Sequence, residues 1–340
     1  MHIKSFIGFI IGILAMAGVI VFVVLRGESS PPAKIYHIAI ITRKDVGTYQ
    51  EAIQSYRKKM TELGYGDGQN VFYDIYQFNN SSELKQIVSN VISSHPDIIH
   101  TYSTPATVQA YQETKHMTHP IPVVFGSMGD PLAAGVIHDI QSPGTNVTGV
   151  TSLATELTAN RIRFLKEIKP GIKRVAMPHS AESLNDASAN KSVDIAKDTA
   201  YQLGITLVLF PVATQEDNAI VAKTITKEKI DGMIVGGDSL VWGSIDAYIA
   251  QAIKEKIPMA AFDVTQITKG ALIGIGPDYT RAGKQAAILT HKILSGSLPA
   301  IIPVQIPQKL IFAVNLTTAK AIGITLGDDL LKRADIVIGK

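Results

Sequence analysis

The chain has no cysteine among its 340 residues, which excludes disulfides, thiolate metal sites, a cysteine nucleophile and a lipid-bearing cysteine. Aromatic residues are scarce, at 6% with one tryptophan. Lysine and arginine are scattered among the acids rather than gathered into a stripe, and the net charge is only +3, so nucleic acid is not expected as a partner. Charged residues make up 18% against 46% hydrophobic ones, which excludes a disordered or coiled-coil chain. The length exceeds the usual single domain and predicts two domains with full cores.

Phe6 to Leu25 runs twenty residues without a charge, between Lys4 and Arg26. That is the length a helix needs to cross a bilayer, and it predicts a membrane-anchoring signal segment. Ala15-Met16-Ala17 offers an alternative cleavage site, which would leave a secreted protein. Either reading exports the rest of the chain to the extracytoplasmic face. Gly27 to Ala33 reads as an extended linker.

From Lys34 onward, β-branched apolar runs alternate with amphipathic stretches, the signature of βαβ units. The expected fold is α/β, two doubly wound parallel-sheet lobes joined by several crossovers, behind the N-terminal anchor. Residues 1–33 are the anchor and linker. Lobe one is expected over 34–150 and 266–298, and lobe two over 151–265 and 299–340. Ligands of such sheets bind beyond the carboxyl ends of the strands. The loops predicted there carry Arg43, Thr48, Thr104, Ser127, Asp130, Ser180, Glu182, Asp238 and Asp263, with Tyr279 just before a helix predicted from Thr280 to Leu294. Hydroxyls and amides at helix N-termini suit a carboxylate, and the acids suit an ammonium, so together they point to a zwitterion. Thr48, Thr104 and Ser127 are assigned to its acidic end, with Arg43 as the rival, and Asp238 with Glu182 or Asp263 to its basic end. The competing reading of each Ser, Thr or Asp is a helix cap.

Catalytic motifs fail on context. Gly237-Asp238-Ser239-Leu240 spells an esterase nucleophile motif but falls two thirds along the chain, without a following Asp-x-x-His pair. Gly274-Ile275-Gly276 lacks the third glycine of a dinucleotide loop, and no Walker loop occurs. His116 and His119 have no carboxylate partner nearby that would suggest a metal. No catalytic residue, metal or cofactor is expected.

The segments Thr104-Pro105-Ala106-Thr107, Asp130-Pro131-Leu132-Ala133-Ala134-Gly135 and Asn146-Val147-Thr148-Gly149 resemble the ABC transporter substrate-binding family that includes tryptophan and tyrosine binders. Gly274-Ile275-Gly276-Pro277-Asp278-Tyr279 and the stretch from Asn315 to Ile324 match its closing motifs. The resemblance implies a type I periplasmic-binding-protein fold, no catalysis, a small-molecule ligand held by hinge closure, a permease subunit as partner and a monomeric state. The sequence departs from the family at Arg43 to Thr48, where aromatic binders carry a His-Pro-x-Leu-Asp-like loop, and at Ser180 to Asn185. A membrane-anchored sensor is the alternative function, and a hydrolase the third.

Overall fold

The computed structural model describes residues 34–44, 46–180 and 186–339. The expected anchor over residues 6–25 and Glu182 lie outside them. Among the described residues no helix is long and apolar enough to cross a membrane.

The first half of the chain builds β1 (Tyr36–Arg43), α1 (Gly47–Glu62), β2 (Val71–Phe78), α2 (Ser81–Ser93), β3 (Ile98–Tyr102), α3 (Thr104–Thr114), β4 (Val123–Met128) and β5 (Val147–Thr151). The second half continues with α4 (Thr158–Ile168), β6 (Arg174–Ser180), α5 (Ala187–Gln202), β7 (Thr206–Val212), α6 (Gln215–Thr224), β8 (Gly232–Ile234), α7 (Ser239–Trp242) and α8 (Ile245–Lys254). It ends with β9 (Met259–Ala261), α9 (Val264–Thr268), β10 (Ile273–Pro277), α10 (Tyr279–Leu294), β11 (Leu310–Asn315), α11 (Leu316–Ile322), α12 (Asp328–Arg333) and β12 (Ile336–Ile338).

Lobe one holds a five-stranded sheet ordered β2-β1-β3-β4-β5, parallel throughout. Central β1 is buried along six consecutive residues because helices cover both faces, whereas edge strand β2 is half exposed. Lobe two holds seven strands ordered β12-β11-β10-β9-β8-β6-β7. The segment β7-β6-β8-β9-β10 repeats the order of lobe one, so each lobe has a switch point, at β1/β3 and at β6/β8.

Two expectations are corrected here. The second sheet is mixed, because β11 returns antiparallel to β10. The boundaries also shift. β10 hydrogen-bonds to β9 and β11 in lobe two, although the sequence pattern places residues 266–298 in lobe one. Helix α10 of that segment does pack across α1, where Gly283 brings the two backbones together. A Cβ there would sit 2.2 Å from the Ala52 carbonyl oxygen. Residues 300–305 then run along the β5 edge of lobe one rather than lobe two, with Gln305 N–H donating to the Gly149 carbonyl (2.9 Å) and Thr148 Oγ1 to the Ile302 carbonyl (2.8 Å). The chain thus passes between lobes after β5, after β10 and before β11. Gln285 ties the last crossing by donating to the Ile306 carbonyl (3.0 Å) and accepting from Gln308 N–H (3.1 Å).

Candidate functional site

Carboxyl ends at both switch points meet, where Arg43 at the end of β1 and Ser180 at the end of β6 line one cleft, Ser103 after β3 lines a chamber beside it, and Asp238 after β8 is bonded to Ser180. Ser103 holds φ 99°, ψ 152°, a region that costs a non-glycine residue roughly 1–3 kcal/mol. The surroundings over-determine it. Its N–H donates to the Ser127 carbonyl (3.0 Å), and its own carbonyl accepts from Thr107 Oγ1 (2.9 Å).

Two spaces open from this region. A small chamber of about 10 Å³, room for little more than one water, is lined by Tyr49, Ser103, Thr104, Ser127, Asp186 and Trp242, among others. The Trp242 indole stacks on Phe262 with centroids 4.4 Å apart and planes 11° apart, and donates its Nε1–H to the Gly236 carbonyl (2.8 Å). Beside it lies a cleft of about 520 Å³, whose walls include Arg43, Asn79, Gln109, Ser180, Asp186 and Gln215. Asp186 borders both spaces.

The residues expected to bind from sequence fall into distinct roles. Asp238 is fully engaged. Its carboxylate accepts from Ser180 N–H (2.7 Å) and Ser180 Oγ (2.8 Å) and from Leu240 N–H (3.0 Å), so it caps α7, the competing reading from sequence, and lines neither space. Thr48 and Asp263, assigned to opposite ends of a zwitterion, are bonded to each other across the lobes (2.8 Å). Asp263 also caps α9, and burial raises its pKa, opposed by hydrogen bonds from Gln266 and Thr48. Thr104 Oγ1 meets Ser188 Oγ of lobe two (3.0 Å), and Ser127 Oγ lies 3.4 Å from the Tyr279 hydroxyl. Asp130 pairs with Lys191 of lobe two, and its N–H donates to Ser188 Oγ (2.9 Å). Of the expected residues, Arg43, Thr104, Ser127 and Ser180 line the two spaces.

Sequence reasoning missed Asp186, Tyr49, Ser103, Trp242 and Gln215. Asp186 is the most consequential. It caps α5 by accepting from Ala189 N–H (3.1 Å), and its pKa is raised well above the ordinary carboxylate range by burial, with Asp238 adding to the rise and Arg43 opposing it. The signal was present as Asp186 three residues before Ala189. The polar first turn of α5 hid it, because the apolar stripe starts only at Val193. Among the described residues no group of three or more His, Asp or Glu side chains is placed to hold a metal.

The family described as ABC transporter substrate binding protein matches residues 37–338. A tyrosine-binding protein of Clostridioides difficile is 28% identical over 278 residues, 80% of this chain and 76% of the relative. A conserved domain protein of Vibrio cholerae shares 25% identity and superposes with a TM-score of 0.83 over 89% of this chain and all of the other. A Streptococcus pneumonia domain in complex with L-Trp, 22% identical, reaches 0.81 over 90% of this chain and all of its own. A ligand-free, open substrate binding protein of Clostridium difficile, 25% identical with the same coverage, reaches 0.60.

Proposed function

The chain belongs to the family of ABC transporter substrate-binding proteins, and from that premise we propose that it is the extracytoplasmic component of an ABC import system, capturing an amino acid or a close relative between its two lobes. The observation that carries the ligand class is Asp186. It is a buried acid at the meeting of both switch points, whose burial penalty an ammonium would relieve. Arg43 and Ser239 border the larger cleft together with Asp186. The relatives agree in class, since one is named for tyrosine and another was solved with L-Trp.

Hinge closure is the transport-relevant motion in this reading. Thr48–Asp263, Thr104–Ser188 and Asp130–Lys191 all join the lobes, and the fold superposes better on the L-Trp complex than on the ligand-free open structure. Opening the lobes breaks these contacts. The run from Phe6 to Leu25 anchors the protein at the membrane, so the full chain stays with membranes through a high-salt wash.

A thermal-unfolding screen of the full chain against the common L-amino acids tests the ligand class. A ligand that binds only the folded state at about a hundred times its Kd adds roughly 2.7 kcal/mol and raises the midpoint. No rise with any of them would sink the amino-acid reading.

A further inference from the structure

Arg43 is buried to 6% exposure, yet among the described residues it forms no ion pair. Both of its hydrogen bonds to described residues leave from Nη2, to the Asn79 carbonyl (2.8 Å) and, at a long 3.4 Å, to Gln215 Oε1. Its Cζ lies over the Phe78 ring, 5.6 Å from the centroid. Nε and Nη1 donate to no described residue, and the side chain lines the 520 Å³ cleft that Asp186 also borders. A buried guanidinium without a counter-ion is costly, and its donor fork matches a carboxylate in a bidentate geometry.

Resting on the amino-acid reading above, we propose that Arg43 receives the ligand's α-carboxylate inside the larger cleft while Asp186 receives its ammonium, so that the ligand occupies this cleft and not the aromatic chamber beside Trp242. The volumes support the choice, since about 10 Å³ admits no amino acid whereas 520 Å³ falls in the range of ligand pockets. The side-chain amides of Asn79 and Gln112, which bond to no described residue, line the remaining wall and offer paired donors and acceptors to a polar side chain. Arg43 thereby differs in role from Thr48, whose hydroxyl is spent on Asp263.

The test titrates the full chain with L-tyrosine, L-tryptophan and L-glutamine, each beside its primary amide, which keeps the ammonium and lacks the carboxylate. The wild type is expected to favour the acid over the amide by roughly tenfold to a hundredfold, the worth of a charge-assisted pair. Arg43→Met should bind acid and amide equally, and Arg43→Lys, which keeps the charge without the fork, should retain part of the preference and stands in where the methionine variant does not fold. An undiminished preference in Arg43→Met overturns the assignment. So does an equal loss of affinity for acid and amide, which marks Arg43 as a latch on Gln215 only. Either result leaves the amino-acid reading standing, whereas a wild type that binds none of the six probes nor any other common L-amino acid removes that reading and the carboxylate anchor together.

Discussion

Replacing Asp186 by asparagine should make the free protein more stable and its ligand binding weaker. The two signs arise from one cause. Asp186 is 4% exposed beside Asp238, and its proton is held more tightly in the folded chain than at the ordinary value of 3.8. The folded state therefore gains from this group at low pH, and the gain is lost as the pH rises above 3.8 towards the raised value, so that burial of the acid opposes folding increasingly at higher pH. Each tenfold tightening of proton binding corresponds to about 1.4 kcal/mol. Asparagine removes the penalty and still caps α5 at Ala189 N–H, because its side-chain oxygen serves as well there. Urea unfolding of free Asp186→Asn is thus expected to show a gain in stability at pH 7 that shrinks towards pH 4. Calorimetric titration with L-tyrosine should show affinity falling roughly tenfold to a hundredfold. Unchanged affinity would remove Asp186 from the ammonium site, and a loss of stability at pH 7 would refute the burial argument itself.

Asp238→Asn should behave in the opposite way, losing about 1.5–3 kcal/mol of stability because the carboxylate holds both Ser180 N–H and Ser180 Oγ, as urea unfolding would show. His100 is fully buried, with its pKa lowered to about 4 by burial, against a hydrogen bond to the Val124 carbonyl that raises it. Its neutral form is the native one, so stability should be full above pH 6.5 and fall by about 3 kcal/mol as the pH drops to 4. His100→Gln should flatten that part of the pH–stability curve, and an unaltered slope would assign it elsewhere. Gly283→Ala forces a Cβ to within 2.2 Å of the Ala52 backbone oxygen, which no side-chain rotation relieves, so it should cost about 1–3 kcal/mol or more by the same unfolding assay.

The alternation of β-branched runs with amphipathic stretches was enough to identify most strands and helices, because strands buried on both faces, such as β1 and β3, read as continuous apolar runs. The loops at the carboxyl ends followed from that order, and Arg43, Thr104, Ser127 and Ser180 at the cleft were legible for this reason. Sheet membership was not. β10 and α10 are contiguous in sequence yet belong to different lobes, and local periodicity says nothing about which strand a neighbour will pair with. The short strands β5 and β12 and the antiparallel return of β11 were also settled by pairing alone.

Chemistry divides along the same line. Sequence determined which residue types stand at the strand ends, and therefore that acids, hydroxyls and one arginine would gather there. Only the tertiary structure decided which of them remain available. Asp238 and Asp263 are consumed by caps and by partners 58 and 215 residues away, whereas Asp186 and Arg43 line the cleft. The physical reason is that a carboxylate's capacity to accept is finite, and whether it is filled depends on donors that the fold delivers from far along the chain.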